Sequence, residues 1–460
     1  MHNHGSHDNQ RGQWASNIGF ILAAAGSAVG LGNIWKFPYL AGANGGGAFV
    51  VLYLLMVVVI GFVIMLGEMA IGRKTQLSAV GAYKKLNEKW AFAGIIGVIV
   101  GFCILSFYSV IGGWVLNYIG KYVTGGVVGS EAGAYFGSFI SSTTAPIVWH
   151  FIFMAMCCII VLKGVSGGIE KASKVMMPAL FVLLIGVAIR SVTLDGAMEG
   201  IRFFLKPDFS KVTISTVMAA MGQAFFSLSL GMGAIITYGS YLGKEENLEK
   251  NALIIPAIDT GVAMLSGLAV LPAVFAFGFE PTAGPSLMFI TLPSVFDAMP
   301  FGQFFGILFF ILILFAALTS AISLLEVVVS FVIDTFKIER KKATIGLATI
   351  IFLVGVPCSL ANGPMSDFLI MGYNFFDFMS FLAESVLMPL AALSMCIFVG
   401  YVWGVDNAVE EITSSGRYKF VFKKFFILMI RYVAPVLIFF IWLNAIGVLP
   451  VIAKVFGIQL

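Results

Sequence analysis

Two short stretches of this chain place glycine beside oxygen-bearing residues, in the middle of long apolar segments. Residues 29–32 read Val-Gly-Leu-Gly and precede Asn33, and residues 230–233 read Leu-Gly-Met-Gly and follow Ser229. Because glycine is unfavourable inside helices, we expect both segments to unwind at these points. Unwound backbone offers carbonyl oxygens to a hard cation, and the N-terminus of a half-helix favours a carboxylate. An amino acid bound together with sodium suits both features.

Close packing of helices is the alternative explanation, because small residues let helix backbones approach one another. The chain has 51 glycines, so either stretch alone is explained more simply by packing. The pattern recurs five spans apart, however, each time next to Asn or Ser. Broken helices in corresponding halves mark the binding site of many secondary transporters. Since five is odd, the second five-helix repeat is predicted to be inverted.

The elements that position these stretches are predicted to be membrane helices. Apolar residues make up 60% of the 460 residues and charged residues 11%, whereas soluble chains average about 45–50% and about 25%. Many apolar runs reach the roughly 20 residues that cross a bilayer. The sequence therefore predicts an all-α integral membrane protein, and the net charge of +4, which resides in loops, does not indicate nucleic acid. The predicted spans are 14–40, 48–72, 90–122, 147–163, 174–191, 216–243, 250–279, 301–336, 343–357, 372–403 and 428–452.

Basic residues collect in alternate loops, and this asymmetry predicts the orientation. The loops 280–300 and 358–371 contain no Lys or Arg, whereas 337–342 and 417–431 are rich in them. The N-terminus is therefore predicted to be cytoplasmic and, with eleven spans, the C-terminus to lie outside. No Asn-x-Ser/Thr acceptor occurs, which suits a bacterial plasma (inner) membrane. We divide the chain into a tail (1–13), two repeats (14–191 and 216–403) and a last span (428–452).

Three runs of residues resemble the neurotransmitter:sodium symporter family. They are Gly-Ser-Ala-Val-Gly-Leu-Gly-Asn-Ile-Trp-Lys-Phe-Pro at 26–38, Asn-Gly-Gly-Gly-Ala-Phe at 44–49, and Gln-Ala-Phe-Phe-Ser-Leu-Ser-Leu-Gly at 223–231. The chain is most similar to bacterial carriers of leucine and other hydrophobic amino acids. The resemblance implies the leucine-transporter fold, with a 5+5 inverted repeat and broken first and sixth helices. It also implies sodium-coupled import of a hydrophobic or aromatic L-amino acid by alternating access.

The resemblance further implies two sodium sites built from oxygen ligands, which suit a hard cation. The first would comprise carbonyl, amide and side-chain oxygens of Ala28, Asn33, Ser227 and Asp259. The second would comprise oxygens of Gly26, Val29, Ala316, Thr319 and Ser320. Hydroxyls of Thr and Ser more often bond back to their own helix, so these two residues alone would be a weak signal.

Asp259 departs from the family, which usually has Asn at that position. Animal members use chloride beside the first sodium, and Tyr53, Gln223 and Ser227 match the positions of that chloride site. A fixed carboxylate next to sodium can perform the electrostatic role of chloride. We therefore expect transport without a chloride requirement.

The residues implied to bind substrate lie on four spans. They are Ala28, Leu31, Gly32, Ile104, Tyr108, Phe226, Ser229, Met232, Ser320 and Leu324. Carriers of monoamines have Asp where this chain has Gly30, so the substrate is expected to bring its own carboxylate. Met232 is flexible and could admit aromatic rings. A γ-amino acid or a methylated glycine is the alternative substrate class, and an ion channel is a more distant alternative.

Two gates are implied by the resemblance. Lys36 and Asp377 match the outer ion pair, and the inner gate would comprise Arg11, Trp14, Tyr241 and Asp334. Glu68 matches a carboxyl group that braces the broken first helix, whereas Glu326 and Glu384 receive no role. No arrangement of nucleophile and base predicts an enzyme. A monomer and a dimer both stay open.

Overall fold

The computed structural model describes residues 12–125, 131–279, 287–449 and 451. Within these residues the regular secondary structure is helical apart from one short antiparallel hairpin, β1 (Leu369–Ile370) and β2 (Tyr373–Asn374). The helices are α1 (Asn17–Ala28), α2 (Gly32–Ala43), α3 (Gly47–Thr75), α4 (Ala79–Leu86), α5 (Glu88–Val123), α6 (Ala132–Ser141), α7 (Ala145–Leu162), α8 (Val165–Val192), α9 (Ala197–Leu205), α10 (Ile214–Ser227), α11 (Ala234–Gly239), α12 (Leu248–Ala276), α13 (Leu287–Ala298), α14 (Gly302–Phe336), α15 (Arg340–Leu360), α16 (Phe375–Val402), α17 (Val405–Ile412) and α18 (Lys423–Ala445).

Nine of the helices in the described part of the chain are long and apolar enough to cross a membrane. The pair α1 and α2, bent by 52° at residues 29–31, forms a tenth span. The predicted sixth span is occupied by α10 and α11, which are separated by the non-helical residues 228–233. The two predicted breaks therefore coincide with real interruptions of helix.

The fifth span begins earlier than the sequence predicted, at Val165 instead of residue 174. The extra turns contain Glu170, which is buried although it carries a charge. Its carboxylate accepts hydrogen bonds from the Ala15 backbone N–H (2.7 Å) and the Ser16 hydroxyl (2.9 Å), and it pairs with Lys174 (2.6 Å). These charges lower the hydropathy of helical turns that tertiary contacts stabilise. The eleventh span likewise begins at Lys423, not at residue 428, and ends at Ala445.

The long helix α14 forms the centre of the packing around the breaks. It contacts α5, α7 and α8, and α1 lies against α8, α12 and α14. Gly26 on α1 permits this approach, because a Cβ there would come within 3.0 Å of the Thr319 Cβ on α14. The interrupted first span is thus held against the helices that carry the other predicted site residues.

A buried arginine connects α3 to two other segments of the chain. Arg73, near the end of α3, is fully buried, and its Nε donates to a carboxylate oxygen of Glu411 on α17 (2.8 Å). Another guanidinium nitrogen donates to the Glu246 carbonyl (2.6 Å). Arg73 therefore ties α3 to α17 and to the connection between α11 and α12.

Candidate functional site

The first break is shaped by close approach of neighbouring side chains. Helix α1 ends at Ala28, and Val29 has extended backbone angles (φ −71°, ψ 92°). A Cβ on Gly30 would lie 2.6 Å from the Ser320 hydroxyl and 2.9 Å from the Tyr108 hydroxyl. A Cβ on Gly32 would lie 2.8 Å from the ring of Phe226. Glycine is needed here because a side chain would collide with α5, α10 and α14.

The second break needs glycine for a different reason. Gly231 and Gly233 have left-handed φ angles of 72° and 75°, which other residues adopt only at a cost. Ser229 adopts a φ of 55° in the same segment. A non-glycine residue in this region is strained, and such strain concentrates at functional sites.

Glu68 braces this second break, whereas the sequence analysis assigned it to the first. Its Oε1 accepts the Gly231 backbone N–H at 2.9 Å, and the residue is fully buried. Unwinding leaves the Gly231 N–H without a helical partner, so the carboxyl group satisfies a donor that would otherwise be unpaired at membrane depth. The prediction failed because sequence spacing does not reveal which of two adjacent breaks a side chain on α3 reaches.

A closed cavity lies between the two breaks. All of the predicted substrate-binding residues except Leu31 line it, and Ser27 and Gly30 line it in addition. Its open volume is about 20 Å³, enough for about one water molecule. An amino acid therefore requires the lining side chains to move apart. Met232, which lies in the second break, has the flexible side chain that suits such adjustment.

One wall of this cavity presents hydrogen-bond acceptors. The Ser229 hydroxyl donates to the Ser27 carbonyl (2.8 Å), and the Ser320 hydroxyl donates to the same carbonyl (3.0 Å). The Ser323 hydroxyl, one helical turn further on, donates to the Ser320 carbonyl (2.7 Å) and also contacts the Ser27 hydroxyl (2.7 Å). Ser229 and Ser320 line the cavity. Because their hydroxyl protons bond to the backbone, lone pairs on these two oxygens suit a group that donates, such as an ammonium.

Ser27 and Ser323 were not identified from the sequence. Ser27 sits between Gly26 and Ala28 inside the first motif, so its position was a usable signal. Ser323 lies on α14 near Ser320 at helical spacing. Serines at this spacing can bond within their own helix. The spacing alone therefore did not predict that Ser323 would contact a serine on α1.

The cavity also borders the start of α2, whose backbone N–H groups have partners within the protein. The Leu31 backbone N–H lies 3.2 Å from the Tyr108 hydroxyl oxygen, and the Gly30 N–H donates to the Asn33 amide oxygen (3.1 Å). A substrate carboxylate, which a helix N-terminus favours, would have to replace these partners. The cavity lining therefore combines serine oxygens with the N-terminus of α2 at Gly32.

The predicted first sodium site is a buried cluster centred on Asp259. Its carboxylate accepts from the Asn33 amide (2.7 Å), the Ser227 hydroxyl (2.8 Å) and the Tyr53 hydroxyl (3.2 Å). The Asn33 NH2 group, not the predicted amide oxygen, faces Asp259 and Ser227, because the oxygen accepts from Gly30. This NH2 group donates to the same oxygens that would coordinate a cation. Rotation of the Asn33 amide would turn its oxygen towards Asp259 and Ser227 instead, as the predicted sodium site requires.

The positions that match a chloride site are already engaged with protein groups. The hydroxyls of Tyr53 and Ser227 both donate to Asp259 Oδ2. The Gln223 amide nitrogen donates to the Gly32 carbonyl (2.9 Å). The two hydroxyls that would hold an anion thus donate to a carboxylate, and the Gln223 amide donates to a backbone carbonyl.

Part of the predicted second sodium site comes together in the structure. Ser320 donates to the Gly26 carbonyl (3.3 Å) as well as to Ser27, and Gly26 packs directly on Thr319. The Thr319 hydroxyl bonds back to the carbonyls of Phe315 (2.9 Å) and Ala316 (3.0 Å). Ala316 and Val29 are buried. This arrangement brings α1 and α14 oxygens together, while the Thr319 hydroxyl has the local partners expected of threonine in a helix.

The outer side of the cavity is closed by Lys36 with Glu384, not with Asp377. The Lys36 ammonium lies 2.7 Å from the Glu384 carboxylate and 4.2 Å from the centre of the Phe226 ring. Asp377 instead lies in the first turn of α16, next to the cap that Asn374 makes with the Asp377 N–H (2.8 Å). Glu384 sits two helical turns further along α16, and the sequence motif did not distinguish the two acids. Beyond Phe226 a second cavity of about 340 Å³ is lined by both Lys36 and Glu384.

The inner side is closed by contacts among three predicted gate residues and their neighbours. Trp14 donates to the Tyr238 carbonyl (3.0 Å) and packs edge-on against the Tyr238 and Tyr241 rings. The Asp334 carboxylate accepts the Ser78 backbone N–H at 2.6 Å. Arg11, the fourth predicted gate residue, lies outside the described residues.

Glu326 belongs to the same inner closure, a role that the sequence did not indicate. It is fully buried on α14 and accepts from the Tyr241 hydroxyl (2.6 Å). Arg340, at the start of α15, forks onto both carboxylate oxygens (2.7 and 2.8 Å). The sequence did contain a signal, because an acid inside a span is followed by a basic loop that begins about fourteen residues later.

Comparison with known proteins places this geometry in context. A sequence profile of the Sodium:neurotransmitter symporter family matches residues 11–132 and 140–453. An uncharacterized sodium-dependent transporter of Bacillus subtilis, YhdH, is 44% identical over 442 residues, which cover 95% of this chain and 98% of that protein. An uncharacterized sodium-dependent transporter of Haemophilus influenzae is 38% identical over 455 residues, covering 95% of this chain and 99% of that protein.

A solved structure shares the fold. The crystal structure of MhsT in complex with L-phenylalanine superposes with a TM-score of 0.88 and 46% sequence identity, covering 95% of this chain and 100% of that chain. This similarity, together with the family profile, confirms the predicted all-α leucine-transporter fold with its two broken helices.

Proposed function

Because the chain belongs to the Sodium:neurotransmitter symporter family, and is therefore a sodium-dependent membrane transporter, we propose that it imports a hydrophobic or aromatic L-amino acid together with sodium by alternating access. The observation that carries this proposal is the cavity between the two breaks, whose lining combines the oxygens of Ser229 and Ser320 with the N-terminus of α2 at Gly32. The serine oxygens suit an ammonium, and the helix N-terminus favours a carboxylate.

The rest of the lining supports an apolar side chain on the substrate. Ile104, Phe226, Met232 and Leu324 face the cavity and supply no charged partner. MhsT, the similar structure, is a complex with L-phenylalanine. Gly30 leaves no acidic side chain for a free amine, which supports a substrate that carries its own carboxylate.

Sodium coupling is proposed to act through shared residues. Asn33 bonds both to the Gly30 N–H at the substrate cavity and to Asp259 in the first sodium cluster. A cation that rotates the Asn33 amide would therefore also free the Gly30 N–H for a substrate carboxylate. Two sodium ions are proposed, one at Asp259 and one between α1 and α14.

Chloride is proposed to be unnecessary. The Asp259 carboxylate supplies the negative charge beside the first sodium site, and it already occupies the hydroxyl donors of Tyr53 and Ser227. An anion at that position would meet a fixed charge of the same sign.

The location is proposed to be a bacterial plasma membrane, with the N-terminus in the cytoplasm and the C-terminus outside. The basic ends of α15 and α18 support this orientation because positive loops are retained inside. The chain is proposed to work with one small amino acid per transport cycle, whether as a monomer or as a dimer.

Equilibrium binding to the purified protein tests the proposal. Radiolabelled amino acids covering all twenty standard side chains are measured in sodium and, at equal ionic strength, in potassium. We expect sodium-dependent binding of apolar or aromatic amino acids only. Equal binding in both salts would contradict the coupling, and sodium-dependent binding of a γ-amino acid or a methylated glycine instead would replace the substrate class.

A further inference from the structure

A deep apolar groove lies on the outer surface of the helix bundle, away from the substrate cavity. Its volume is about 560 Å³. It is lined by Leu54, Val57, Val58, Phe62, Ala252, Leu253, Pro256, Ala257, Thr260, Gly261, Phe422 and Phe425. These residues come from α3, α12 and the start of α18, and none of them is charged.

The groove faces the lipid and extends over roughly one leaflet. Val58, Leu253 and Leu54 are 57%, 43% and 37% exposed, although they belong to apolar spans. The lining runs from residue 54 to 62 on α3 and from 252 to 261 on α12. At 1.5 Å per residue this is about 12–14 Å, close to half of the roughly 30 Å hydrocarbon core. The length matches the acyl chain of one lipid.

Basic residues stand at the end of the groove nearest the membrane surface. Phe422 and Phe425 line the groove, and Lys423 and Lys424 are exposed between them in sequence. Exposed Lys419 lies a few residues earlier.

The backbone that carries these lysines is fixed in place. The Glu249 carboxylate accepts the backbone N–H groups of Val421 (3.1 Å) and Phe422 (2.8 Å). Glu249 is thereby buried and occupied, so it does not extend towards solvent to neutralise the neighbouring lysines. An anionic group can approach the end of the groove without meeting that acid.

From the groove and the adjacent charge we propose a specific site for one phospholipid with an anionic headgroup. An acyl chain occupies the groove between α3 and α12, and Lys423 and Lys424 bind the headgroup phosphate. The charge complementarity separates this occupant from a neutral lipid, and a groove long enough for one acyl chain separates it from the ordinary annulus of lipids around any membrane helix.

Native mass spectrometry of the full-length protein tests the site. The delipidated protein is mixed in detergent with equal amounts of phosphatidylglycerol and phosphatidylcholine of identical chains. We expect one tightly held lipid, with a clear preference for phosphatidylglycerol. The double variant K423Q/K424Q should lose the preference by about ten- to thirtyfold, because each lysine near a phosphate contributes a few-fold or more.

Each variant has a matched control. K341Q/K342Q removes another adjacent lysine pair, at the start of α15 and away from the groove, and should keep the preference. Val58→Trp fills the groove and should abolish the tightly held lipid. Val182→Trp places the same side chain on another exposed position, on α8 (69% exposed), and should retain it. Ala257→Trp fills the groove from α12 and replaces Val58→Trp if that variant does not fold.

The outcomes separate the alternatives. Equal retention of the two lipids by the unmodified protein, or an equal loss in both lysine double variants, would overturn the headgroup site. Retention of the lipid in both groove-filling variants would overturn the acyl-chain site. Loss of binding in the groove variants without any headgroup preference would mean a neutral occupant and would contradict the proposal.

Discussion

Replacing Asp259 by Asn makes the account of the sodium site testable. The substitution keeps the size of the side chain and removes its negative charge. In the structure the carboxylate accepts from Asn33, Ser227 and Tyr53, and we propose that sodium binds beside it. In the variant, the hydroxyls of Tyr53 and Ser227 lose a charged acceptor and become available to an external anion.

The expected magnitude follows from the loss of one charged interaction. At an effective dielectric constant of about 20, two unit charges 4 Å apart interact by about 4 kcal/mol. Part of this is offset because a buried carboxylate is costly to desolvate. A net loss of about 1.5–3 kcal/mol, typical of a hydrogen bond or contact to a charged group, corresponds to a ten- to hundredfold weaker sodium affinity.

The assay is sodium-dependent substrate binding, titrated with sodium chloride or sodium gluconate. The unmodified protein should give the same curve in both salts. D259N should bind sodium ten- to hundredfold more weakly in gluconate and recover in chloride. D377N, which removes an acid at the start of α16, serves as the control and should not respond to chloride. A D259N curve that matches the unmodified protein in gluconate would refute the reasoning.

Three further predictions concern packing at the first break, the outer gate and the buried Arg73. Gly30→Ala should weaken substrate binding by about five- to a hundredfold, because overpacking costs about 1–3 kcal/mol, whereas Gly186→Ala, whose Cβ would contact nothing, should leave equilibrium binding unchanged. Glu384→Gln should speed dissociation of bound substrate up to about fivefold in a chase experiment, as expected for a partly exposed ion pair, and Asp377→Asn should not; the reverse order would restore Asp377 as the gate. Arg73→Met should lower stability by about 1–3 kcal/mol, because the buried Glu411 carboxylate and the Glu246 carbonyl lose their guanidinium donors while Lys244 and Lys74 stay beside the carboxylate, and a thermal unfolding curve in detergent that is unchanged would contradict this.

The fold and the grouping of the site residues were largely predictable from the sequence. Apolar runs long enough to cross a bilayer located the spans, and paired glycines located both breaks, because few other residues tolerate a φ near 72° or a Cβ contact of 2.6 Å. The motif runs around Gly30 and Ser227 placed most of the cavity lining. The ligand roles of these residues stay predictions.

Partner choice was not predictable, because it depends on which turn of a neighbouring helix a side chain reaches. Lys36 could face Asp377 or Glu384, and in the folded chain it pairs with Glu384. Glu68 could reach either break, and it bonds to Gly231. Ser323 joins the serine cluster because its hydroxyl contacts that of Ser27 on α1, almost 300 positions away in the chain.

The start of the fifth span was missed for a related reason. Glu170, Lys171 and Lys174 lower the hydropathy of turns that are nevertheless helical. The Glu170 carboxylate is compensated by Lys174 and by hydrogen bonds from Ala15 and Ser16, just before α1. Local composition contains no information about such compensation.

The central claim is that a sodium gradient drives amino-acid uptake through this chain, and proteoliposomes test it most directly. Purified protein is reconstituted into vesicles loaded with potassium, and uptake of labelled L-phenylalanine is followed after dilution into sodium gluconate. We predict accumulation above the external concentration that collapses when an ionophore dissipates the sodium gradient and does not require chloride. Uptake that only equilibrates, at the same rate in external sodium and in external potassium, would contradict the account.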